Sequence, residues 1–255
     1  MDNLTKKQQS QEKSYIFPYH YLDLQCDNYK FLHYVEYLNL LKLIINIPDK
    51  IQKETSILDA GCGDGRLCFE LSKKYPEINI CGVDYSDRAI AFAKAFNPHG
   101  EFYVNDLAKM RLNKKFDYIF LIETLEHIPP ENIPAILQNL SGHLSLTGKI
   151  IITVPSRNLP LETKHYQHFT KESLTRTISD HFKIMEIKYH SAKNIHRKIF
   201  SVLRRFGLLI YPFKDKIFPV NKFYGFLNNY YSKKISPAGS EDGFGLIAVC
   251  EKNKS

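Results

Sequence analysis

Two acidic residues and a histidine follow directly on an apolar run in the middle of the chain. Glu123, Glu126 and His127 lie at the end of the run 116–123, and His165 and His168 lie in the later segment 164–170. Carboxylates with one or two imidazoles suit magnesium, manganese or a related ion better than structural zinc, which prefers thiolates. An imidazole can also act alone as a general base, because it titrates near working pH. These residue types indicate either a metal site or a proton acceptor.

A glycine-rich turn lies upstream of this group, in the stretch Ile57-Leu58-Asp59-Ala60-Gly61-Cys62-Gly63-Asp64-Gly65-Arg66. Two apolar residues end a strand there, three glycines in five positions follow, and a helical pattern begins at Leu67. Glycines let the backbone approach a ligand closely, and the free amides at the start of a helix favour an anionic group. The turn alone predicts a nucleotide-like ligand.

Strands and helices alternate from residue 56 onwards. Strands are predicted at 56–60, 79–84, 101–106, 116–123, 149–154, 182–190 and 243–251, and helices at 29–47, 65–75, from Ser86 to 96, at 131–144 and from Thr170. This alternation predicts an α/β fold with a parallel sheet, helices on both faces, and ligands at the carboxyl ends of the strands. Asp59, Asp84 and Asp106 lie at or near three successive strand ends.

The turn Leu58–Gly65, together with Asp84 and Asp106, resembles the first motifs of class I S-adenosylmethionine (SAM) methyltransferases. The resemblance covers residues 50–190 and the final strand. It implies a Rossmann-like, mostly parallel seven-stranded sheet whose last strand is antiparallel. It also implies that the turn holds the methionine end of SAM, Asp84 the ribose hydroxyls, and Asp106 with the Leu107 amide the adenine. The cofactor-binding residues expected on this basis are Asp59, Gly61, Cys62, Gly63, Asp64, Asp84, Tyr85, Asp106, Leu107 and Ile122.

The Glu-x-x-Glu-His form of residues 123–127 resembles a narrower set, the ubiquinone-pathway O-methyltransferases and the small-RNA 3′-terminal 2′-O-methyltransferases. In these proteins two Glu, the adjoining His and a later His bind a divalent metal. The resemblance implies Glu123, Glu126, His127 and His165 as ligands, with His168 as an alternative to His165. A metal could ligate the acceptor oxygen and lower its pKa, whereas without one His127 or His165 could be the catalytic base. A third interpretation is that Glu and His only shape the pocket.

Several polar and aromatic residues could face the methyl acceptor. The aromatic segment 15–21 is expected either to pack over the core or to form a lid with Tyr15, Tyr19 or His20 facing the substrate. Arg157 and Lys164 could bind a phosphate or carboxylate, or could be ordinary solvated charges. His168 is also expected to contact the substrate.

The positive charge of the chain is concentrated in one region. The 255 residues carry a formal charge of +8, and residues 193–240 contain ten Lys or Arg and one acid, Asp215, a net charge of +9. The domains expected are a flexible N-terminus at 1–14, a lid and helix at 15–48, a SAM-binding catalytic domain at 49–192 and 241–255, and a basic, aromatic helical insertion at 193–240. The insertion could cap the acceptor pocket, contact an anionic membrane surface, bind single-stranded nucleic acid or form a dimer contact. Nucleic acid is not favoured, because no RNA-binding module is present.

Other bulk properties narrow the class of protein. No apolar run reaches the roughly 18 residues that a membrane span needs. Residues 1–13 carry no signal-peptide core, and five scattered cysteines are typical of free thiols in a reducing cytoplasm. We expect a cytoplasmic monomer or homodimer.

Together these features predict a SAM-dependent O-methyltransferase of a small, phosphate-bearing metabolite, assisted by a divalent metal. Segments 17–21, 122–130 and 164–170 resemble small-molecule methyltransferases of bacterial polysaccharide clusters, including those of the O-methyl phosphoramidate capsule decoration. The alternatives are a 2′-O-methyltransferase acting on an RNA end and a catalytically silent SAM-fold subunit that binds a partner. The intact Asp59, Gly61, Gly63, Asp84 and Asp106 argue against the silent subunit.

Overall fold

A computed structural model describes residues 5–21, 27–49, 51–211, 219–237 and 242–253. Seven strands form one sheet in the order β3-β2-β1-β4-β5-β7-β6, in which β7 runs antiparallel to both of its neighbours. The strands are β1 (Ser56–Ala60), β2 (Asn79–Asp84), β3 (Glu101–Val104), β4 (Phe116–Ile122), β5 (Leu144–Pro155), β6 (Phe182–Ala192) and β7 (Gly243–Lys252). The predicted fold class is therefore confirmed.

Helices cover both faces of this sheet. They are α1 (Lys6–Ser14), α2 (Asp27–Ile44), α3 (Arg66–Lys74), α4 (Asp87–Phe96), α5 (Ile133–His143), α6 (Lys171–Ile178), α7 (Ile195–Ile210) and α8 (Pro219–Lys234). In the central strand β4, Ile119 and Leu121 pack in the core beneath α5 and α6, whereas Phe120 and Ile122 pack in the core with α2 to α4. Alternate side chains of a strand point to opposite faces, so a continuous apolar run fits a strand buried on both sides.

β5 begins five residues before the predicted strand 149–154, and β3 and β4 end earlier than predicted. β3 ends at Val104 and β4 at Ile122, so that Asp106 and Glu123 lie in the loops that follow. Glu123 has a φ of +47°, in the left-handed region, which is incompatible with continuing the strand. Both acidic residues therefore project from loops at the carboxyl edge of the sheet.

Of the segment expected to be flexible at 1–14, residues 6–14 form helix α1 instead, and residues 1–4 lie outside the described residues. Thr5 caps the helix: its hydroxyl accepts a hydrogen bond from the Gln8 amide, and the Gln8 side chain accepts one from the Thr5 amide. This reciprocal pair is a capping box, which satisfies two amides at the helix start. The polar composition suggested disorder because a helix this short is unstable on its own. It depends on tertiary contacts, which composition does not reveal.

The basic segment folds as α7 and α8, which pack on α2. Their shared core consists of Val35, Phe200, Tyr224, Leu227, Tyr231 and Ile235. Arg197 of α7 forms an ion pair with Glu36 of α2, with its Nη1 at 2.6 Å from Oε1. Within the described ranges, no helix is both long and apolar enough to cross a bilayer.

Candidate active site

A cavity of about 620 Å³ opens at the carboxyl edge of the sheet, where the strand order reverses between β1 and β4. Such a reversal creates a crevice beyond the strand ends in which this class of fold binds ligands. Residues after β1, β2 and β3 form one wall, namely Gly61, Asp84, Tyr85, Asn105, Asp106 and Leu107. The opposite wall includes Glu123, Thr124, His127 and Lys164, and α1 with Tyr15 contributes the cover. The cavity thus brings residues of the predicted cofactor and acceptor sites together.

The glycine turn needs its glycines for both backbone conformation and space. Gly61 has a φ of +78°, and a Cβ atom there would lie 2.5 Å from the Thr124 hydroxyl oxygen. Gly63 has a φ of +52°, and a Cβ atom would lie 2.7 Å from the Tyr15 hydroxyl oxygen. Because residues with side chains rarely adopt this conformation and a Cβ atom would also clash, both positions strongly favour glycine. The turn keeps the two walls and the cover close together.

Asp84 is the most clearly placed of the predicted cofactor residues. Its Oδ2 accepts a hydrogen bond from the Gly63 amide and its Oδ1 one from the Ser86 amide, both at 2.9 Å. Burial raises the pKa of this carboxyl from 3.8 to about 6. A carboxylate can accept about four hydrogen bonds, so two sites remain for donors in the cavity, such as ribose hydroxyls.

Asp59 and Cys62 lie behind the cavity wall rather than on it. The Asp59 carboxylate accepts a hydrogen bond from the Cys68 thiol at 3.4 Å, and burial raises its pKa from 3.8 to about 7. Burial also raises the pKa of the Cys62 thiol, and this side chain packs with Ile122 in the apolar core. Asp59, Cys62 and Ile122 therefore support the turn and the strand ends from the side away from the cavity.

Asp64 and His20 form a pair that sequence reasoning missed. The His20 ring nitrogen Nδ1 lies 2.8 Å from Asp64 Oδ1, and the His20 amide donates to Asp64 Oδ2 at 3.3 Å. The His20 ring also stacks on Tyr37, with centroids 4.5 Å apart. Asp64 is therefore used to attach the N-terminal segment, and His20 is correspondingly an anchor for that segment instead of a residue on the cavity wall.

The aromatic segment reaches the cavity through Tyr15. Tyr15 is buried and lines the cavity, and burial raises the pKa of its hydroxyl. The Tyr19 ring packs between Tyr15 and His20, at centroid distances of 5.5 and 3.9 Å. Tyr19 thus supports Tyr15 and stands behind the wall.

Glu126, His127 and His165 form a compact group of possible metal ligands. One ligand atom from each residue lies within 4.8 Å of the others. The Oε2 atom of Glu126 is buried without a hydrogen-bond partner, and burial raises the pKa of this carboxyl. Burial lowers the pKa of His127 to about 3 and that of His165 to about 4. An unpartnered buried carboxylate oxygen is costly unless a cation or proton joins it.

Hydrogen bonds orient the imidazoles towards this group. His127 Nδ1 faces the Lys164 carbonyl at 3.4 Å, and His168 Nδ1 faces the Leu159 carbonyl at 3.2 Å. A carbonyl oxygen only accepts, so each of these nitrogens donates its proton. In a neutral His168 ring Nε2 is then an acceptor, and it lies 2.8 Å from His165 Nδ1. His127 and His165 therefore both present an Nε2 lone pair, and such a donated bond from the other ring nitrogen is typical of metal-ligating histidine.

Glu123 does not join the group, contrary to the four-ligand set expected. Its Oε1 accepts a hydrogen bond from the Thr153 hydroxyl at 3.0 Å, and its amide donates to the Thr153 carbonyl at 3.1 Å. Burial raises its pKa from 4.5 to about 7. Glu123 nevertheless lines the cavity, so it can contact a ligand there directly.

Arg157 and His168 are not among the residues that line the cavity, and of the two roles expected for Arg157 its exposure fits the solvated charge. Arg157 is exposed, and its Nε donates to the His168 carbonyl at 3.3 Å. His168 is buried and bonded to His165 and Leu159. Both residues hold the loop after β5, and Lys164 is the residue of this loop that reaches the cavity.

Helix α1 supplies the wall residues that sequence reasoning missed. Lys7, Gln8 and Gln11 line the cavity, and contacts with both flanking loops hold them there. Lys7 Nζ donates to the His165 carbonyl, and the Ser86 hydroxyl bonds to the Glu12 carboxylate at 2.5 and 2.9 Å. The Thr5-x-x-Gln8 pattern was the available sequence signal for this helix, since it matches a capping box.

The sheet order and the strand-end cavity define the fold of the class I SAM-dependent methyltransferases. A family model described as a methyltransferase domain matches residues 31–202, and the chain belongs to this family. It is 30% identical over 129 residues to malonyl-[acyl-carrier protein] O-methyltransferase of Bacillus cereus, covering 47% of each chain. It is 26% identical over 125 residues to trans-aconitate 2-methyltransferase of Deinococcus radiodurans, covering 49% of this chain and 44% of the relative. The chain thus spans about half the length of the curated relatives it matches.

A solved structure resembles nearly the whole chain. The N-methyltransferase NodS from Bradyrhizobium japonicum, in complex with S-adenosyl-L-homocysteine (SAH), gives a TM-score of 0.57 at 14% identity. The match covers 98% of this chain and 100% of the NodS chain. At this identity the likeness establishes the fold alone.

Proposed function

We propose that the protein is a SAM-dependent O-methyltransferase of a small anionic metabolite. The observation that carries the proposal is the cavity whose walls bring Asp84 and Asp106 opposite His127 and Lys164. One wall has the hydrogen-bond acceptors that a nucleoside needs, and the other has an imidazole and a lysine to serve an oxygen nucleophile.

SAM would occupy the wall formed by the loops after β1, β2 and β3. The free acceptor sites of Asp84 suit the ribose hydroxyls, and Asp106 with Leu107 suits the adenine. The Asp106 carboxylate is already oriented, because its Oδ1 accepts a hydrogen bond from the Ala108 amide at 2.9 Å. This wall holds the methyl donor in one position, which converts methyl transfer into a reaction between two aligned groups.

The acceptor is expected to be anionic, because three lysine residues line the same cavity. They are Lys7, Lys109 and Lys164. An ammonium group binds phosphate or carboxylate as a compact charge. The substrates in the names of the two curated relatives, malonyl and trans-aconitate, carry carboxyl groups. We therefore favour a phosphorylated or carboxylated acceptor.

The reaction joins the acceptor oxygen to the SAM methyl group, breaks the carbon–sulfur bond and leaves SAH. The acceptor proton must leave, and when no metal is bound the lone pair on His127 Nε2 is the acceptor for it on the cavity wall. The low pKa values of His127 and His165 keep both rings neutral at pH 7, so both lone pairs are available to a metal, whereas a ring with so low a pKa is a weak general base. The cover formed by α1 and Tyr15 restricts water around the reacting atoms.

The donor set fits a divalent ion at Glu126, His127 and His165. Such an ion would neutralise the unpartnered Glu126 oxygen and lower the pKa of an acceptor hydroxyl held beside it. Manganese and related transition-metal ions accept two imidazoles and one carboxylate, whereas magnesium prefers oxygen ligands. Glu123 would remain outside the ligand set and next to the substrate.

The cellular role we propose is in bacterial surface-polysaccharide biosynthesis. Support for it comes from the resemblance of segments 17–21, 122–130 and 164–170 to methyltransferases of that pathway. A phosphate-bearing sugar or nucleotide-linked intermediate fits a cavity lined by three lysine residues.

The test is an SAH-release assay of the full chain with SAM and a panel of acceptors. The panel contains phosphorylated sugars, nucleotide-linked intermediates, small carboxylates and neutral quinone precursors, each with and without magnesium or manganese. We expect acceptor-dependent release with an anionic acceptor, and its loss in His127→Ala but not in His99→Ala, an exposed control. Turnover only with neutral acceptors would contradict the anionic class. SAH binding without turnover on any acceptor would favour the silent subunit.

A further inference from the structure

Helix α7 is apolar on two sides, and only one of them is used in packing. On the first side, Phe200 and Gly207 are buried against α8, where the Tyr224 hydroxyl donates to the Gly207 carbonyl at 2.6 Å. Leu203 and Ile210 are partly buried at the edge of the same core. A surface helix normally buries one apolar stripe and presents polar residues elsewhere. α7 departs from that pattern.

The second side is a continuous exposed stripe, which we call the α7 stripe. It consists of Ile195, Ile199, Val202, Phe206 and Leu209. Their spacing of four, three, four and three residues places them on one line along the helix. Their side chains are between 41% and 75% exposed. Single exposed apolar residues are ordinary, but an exposed row along four turns of a helix marks an interaction surface.

Aromatic residues extend the α7 stripe onto α8. The Phe206 ring contacts Phe223 edge to face, with centroids 5.6 Å apart, and Phe223 stacks on Phe226 at 6.4 Å. Phe226 is half exposed. The apolar surface is therefore wider than one helix and ends in two aromatic rings.

Positive charge borders this apolar surface. Lys198 and Arg205 lie seven residues apart, on the helix face next to the α7 stripe, and both are exposed. Neither forms an ion pair with any residue in the described part of the chain. The sequences of α7 and α8 contain seven Lys or Arg and no Asp or Glu. Arg197, by contrast, is already paired with Glu36.

We propose that the α7 stripe binds an anionic membrane surface, with α7 lying in the plane of the interface. Apolar side chains at helical spacing with Lys and Arg at their border are the features of interfacial helices. A second copy of the chain fits less well, because a symmetric contact would bring Lys198 and Arg205 of both copies together. Nucleic acid fits less well too, since four of the five residues of the α7 stripe are aliphatic and offer no stacking surface for bases. This binding would be independent of the methyl transfer proposed above.

The test is flotation of the full chain with two kinds of vesicles. One kind contains equal parts of phosphatidylglycerol and phosphatidylcholine, and the other contains phosphatidylcholine alone. We expect binding to the first at low salt, much weaker binding to the second, and release by salt. Lys198→Glu with Arg205→Glu should weaken binding roughly 20-fold or more, because each basic residue near an anionic leaflet strengthens binding about fivefold. The matched control is Lys73→Glu with Lys94→Glu, which reverses two exposed lysines on α3 and α4.

The apolar part is tested with Ile195→Ser, Val202→Ser and Leu209→Ser combined. Their control is Leu146→Ser, Leu161→Ser and Met185→Ser combined, which removes three comparably exposed apolar side chains elsewhere. We expect the first set to abolish flotation and the control to keep it, with far-UV circular dichroism and SAH binding unchanged in both. Folded wild-type protein that does not float with anionic vesicles at low salt would overturn the proposal. So would flotation that survives the α7 stripe substitutions, or a stripe-dependent dimer or RNA gel shift in place of vesicle binding.

Discussion

At the scale of single residues, Asp59 and Asp84 differ in what satisfies their carboxylates. Asp84 accepts two backbone amides at 2.9 Å, whereas Asp59 accepts one long bond from the Cys68 thiol. Desolvation raises both pKa values, to about 6 for Asp84 and about 7 for Asp59. Substitution of Asp59 should therefore mainly affect the stability of the protein, whereas substitution of Asp84 should mainly affect ligand binding.

The substitution Asp59→Asn is expected to stabilise the protein without ligand at alkaline pH. The folded state binds the Asp59 proton more tightly than the unfolded state, so the free energy of unfolding falls as pH rises from about 4 to about 7. Above this window the buried charge is fully present, and its removal should raise that free energy by on the order of 2–4 kcal/mol. Thermal unfolding of both proteins at about pH 5 and about pH 8 measures the difference. A gain no larger at the higher pH would contradict the account.

The affinity for SAH is expected to fall as the solution is acidified through the pKa of Asp84. Ribose hydroxyls donate to the charged carboxylate, so protonation removes their acceptor. Affinity should be level above about pH 7 and fall towards tenfold per pH unit below about pH 6. Calorimetric titrations across this range measure it, with Asp84→Asn as a control that binds weakly and loses this dependence. Wild-type affinity that stays constant down to about pH 5 would exclude the assigned role of Asp84.

Glu126 and Glu123 are expected to differ in metal binding, although both belong to one motif. Glu126 has an unpartnered buried oxygen beside two imidazole lone pairs, while Glu123 is bonded to Thr153. Glu126→Ala should weaken manganese binding by about tenfold or more, and Glu123→Gln should leave it nearly unchanged. Electron paramagnetic resonance of free manganese gives the affinity without an activity assay. Equal losses of manganese affinity in the two variants would favour the four-ligand site. A wild-type protein that binds no manganese would contradict the proposed metal site.

At the scale of elements, α1 links loops that are far apart in the sequence. Lys7 bonds to the His165 carbonyl and Glu12 to Ser86, so one short helix closes the cavity from both sides. The helix buries no residue of its own, so polar contacts such as these are what hold it. Segments held by few buried contacts open with little free energy. α1 is therefore suited to admit and release the cofactor.

Removing one anchor of α1 should speed cofactor release. Glu12→Ala leaves the Ser86 hydroxyl without its carboxylate partner, and we expect SAH to dissociate several times faster with the fold unchanged. Stopped-flow displacement of a fluorescent SAH analogue measures this rate. Lys6→Ala, an exposed residue on the same helix, is the control and should keep the wild-type rate. An unchanged rate in Glu12→Ala would mean that α1 does not control release.

At the scale of the whole molecule, the sheet and the cofactor wall could be predicted because their signals are local. Asp84 directly ends its strand and Gly61 directly follows its own, so sequence position fixes their place at the sheet edge. Tyr15 was among the expected lid residues, but the part of the cover formed by α1 could not be predicted, because Lys7 and His165 are 158 residues apart and no periodic pattern joins them. The different roles of Glu123 and Glu126 could not be predicted either. They depend on the left-handed φ of Glu123 and on Thr153 from a neighbouring strand.

The central claim is that the cavity between Asp84 and His127 binds the cofactor of a methyltransferase. Isothermal titration calorimetry of the full chain with SAH tests it most directly. We predict saturable binding of one SAH per chain, strongly weakened in Asp84→Ala and unchanged in His99→Ala. No binding of SAH or SAM by folded protein, or binding unaffected by Asp84→Ala, would contradict the account.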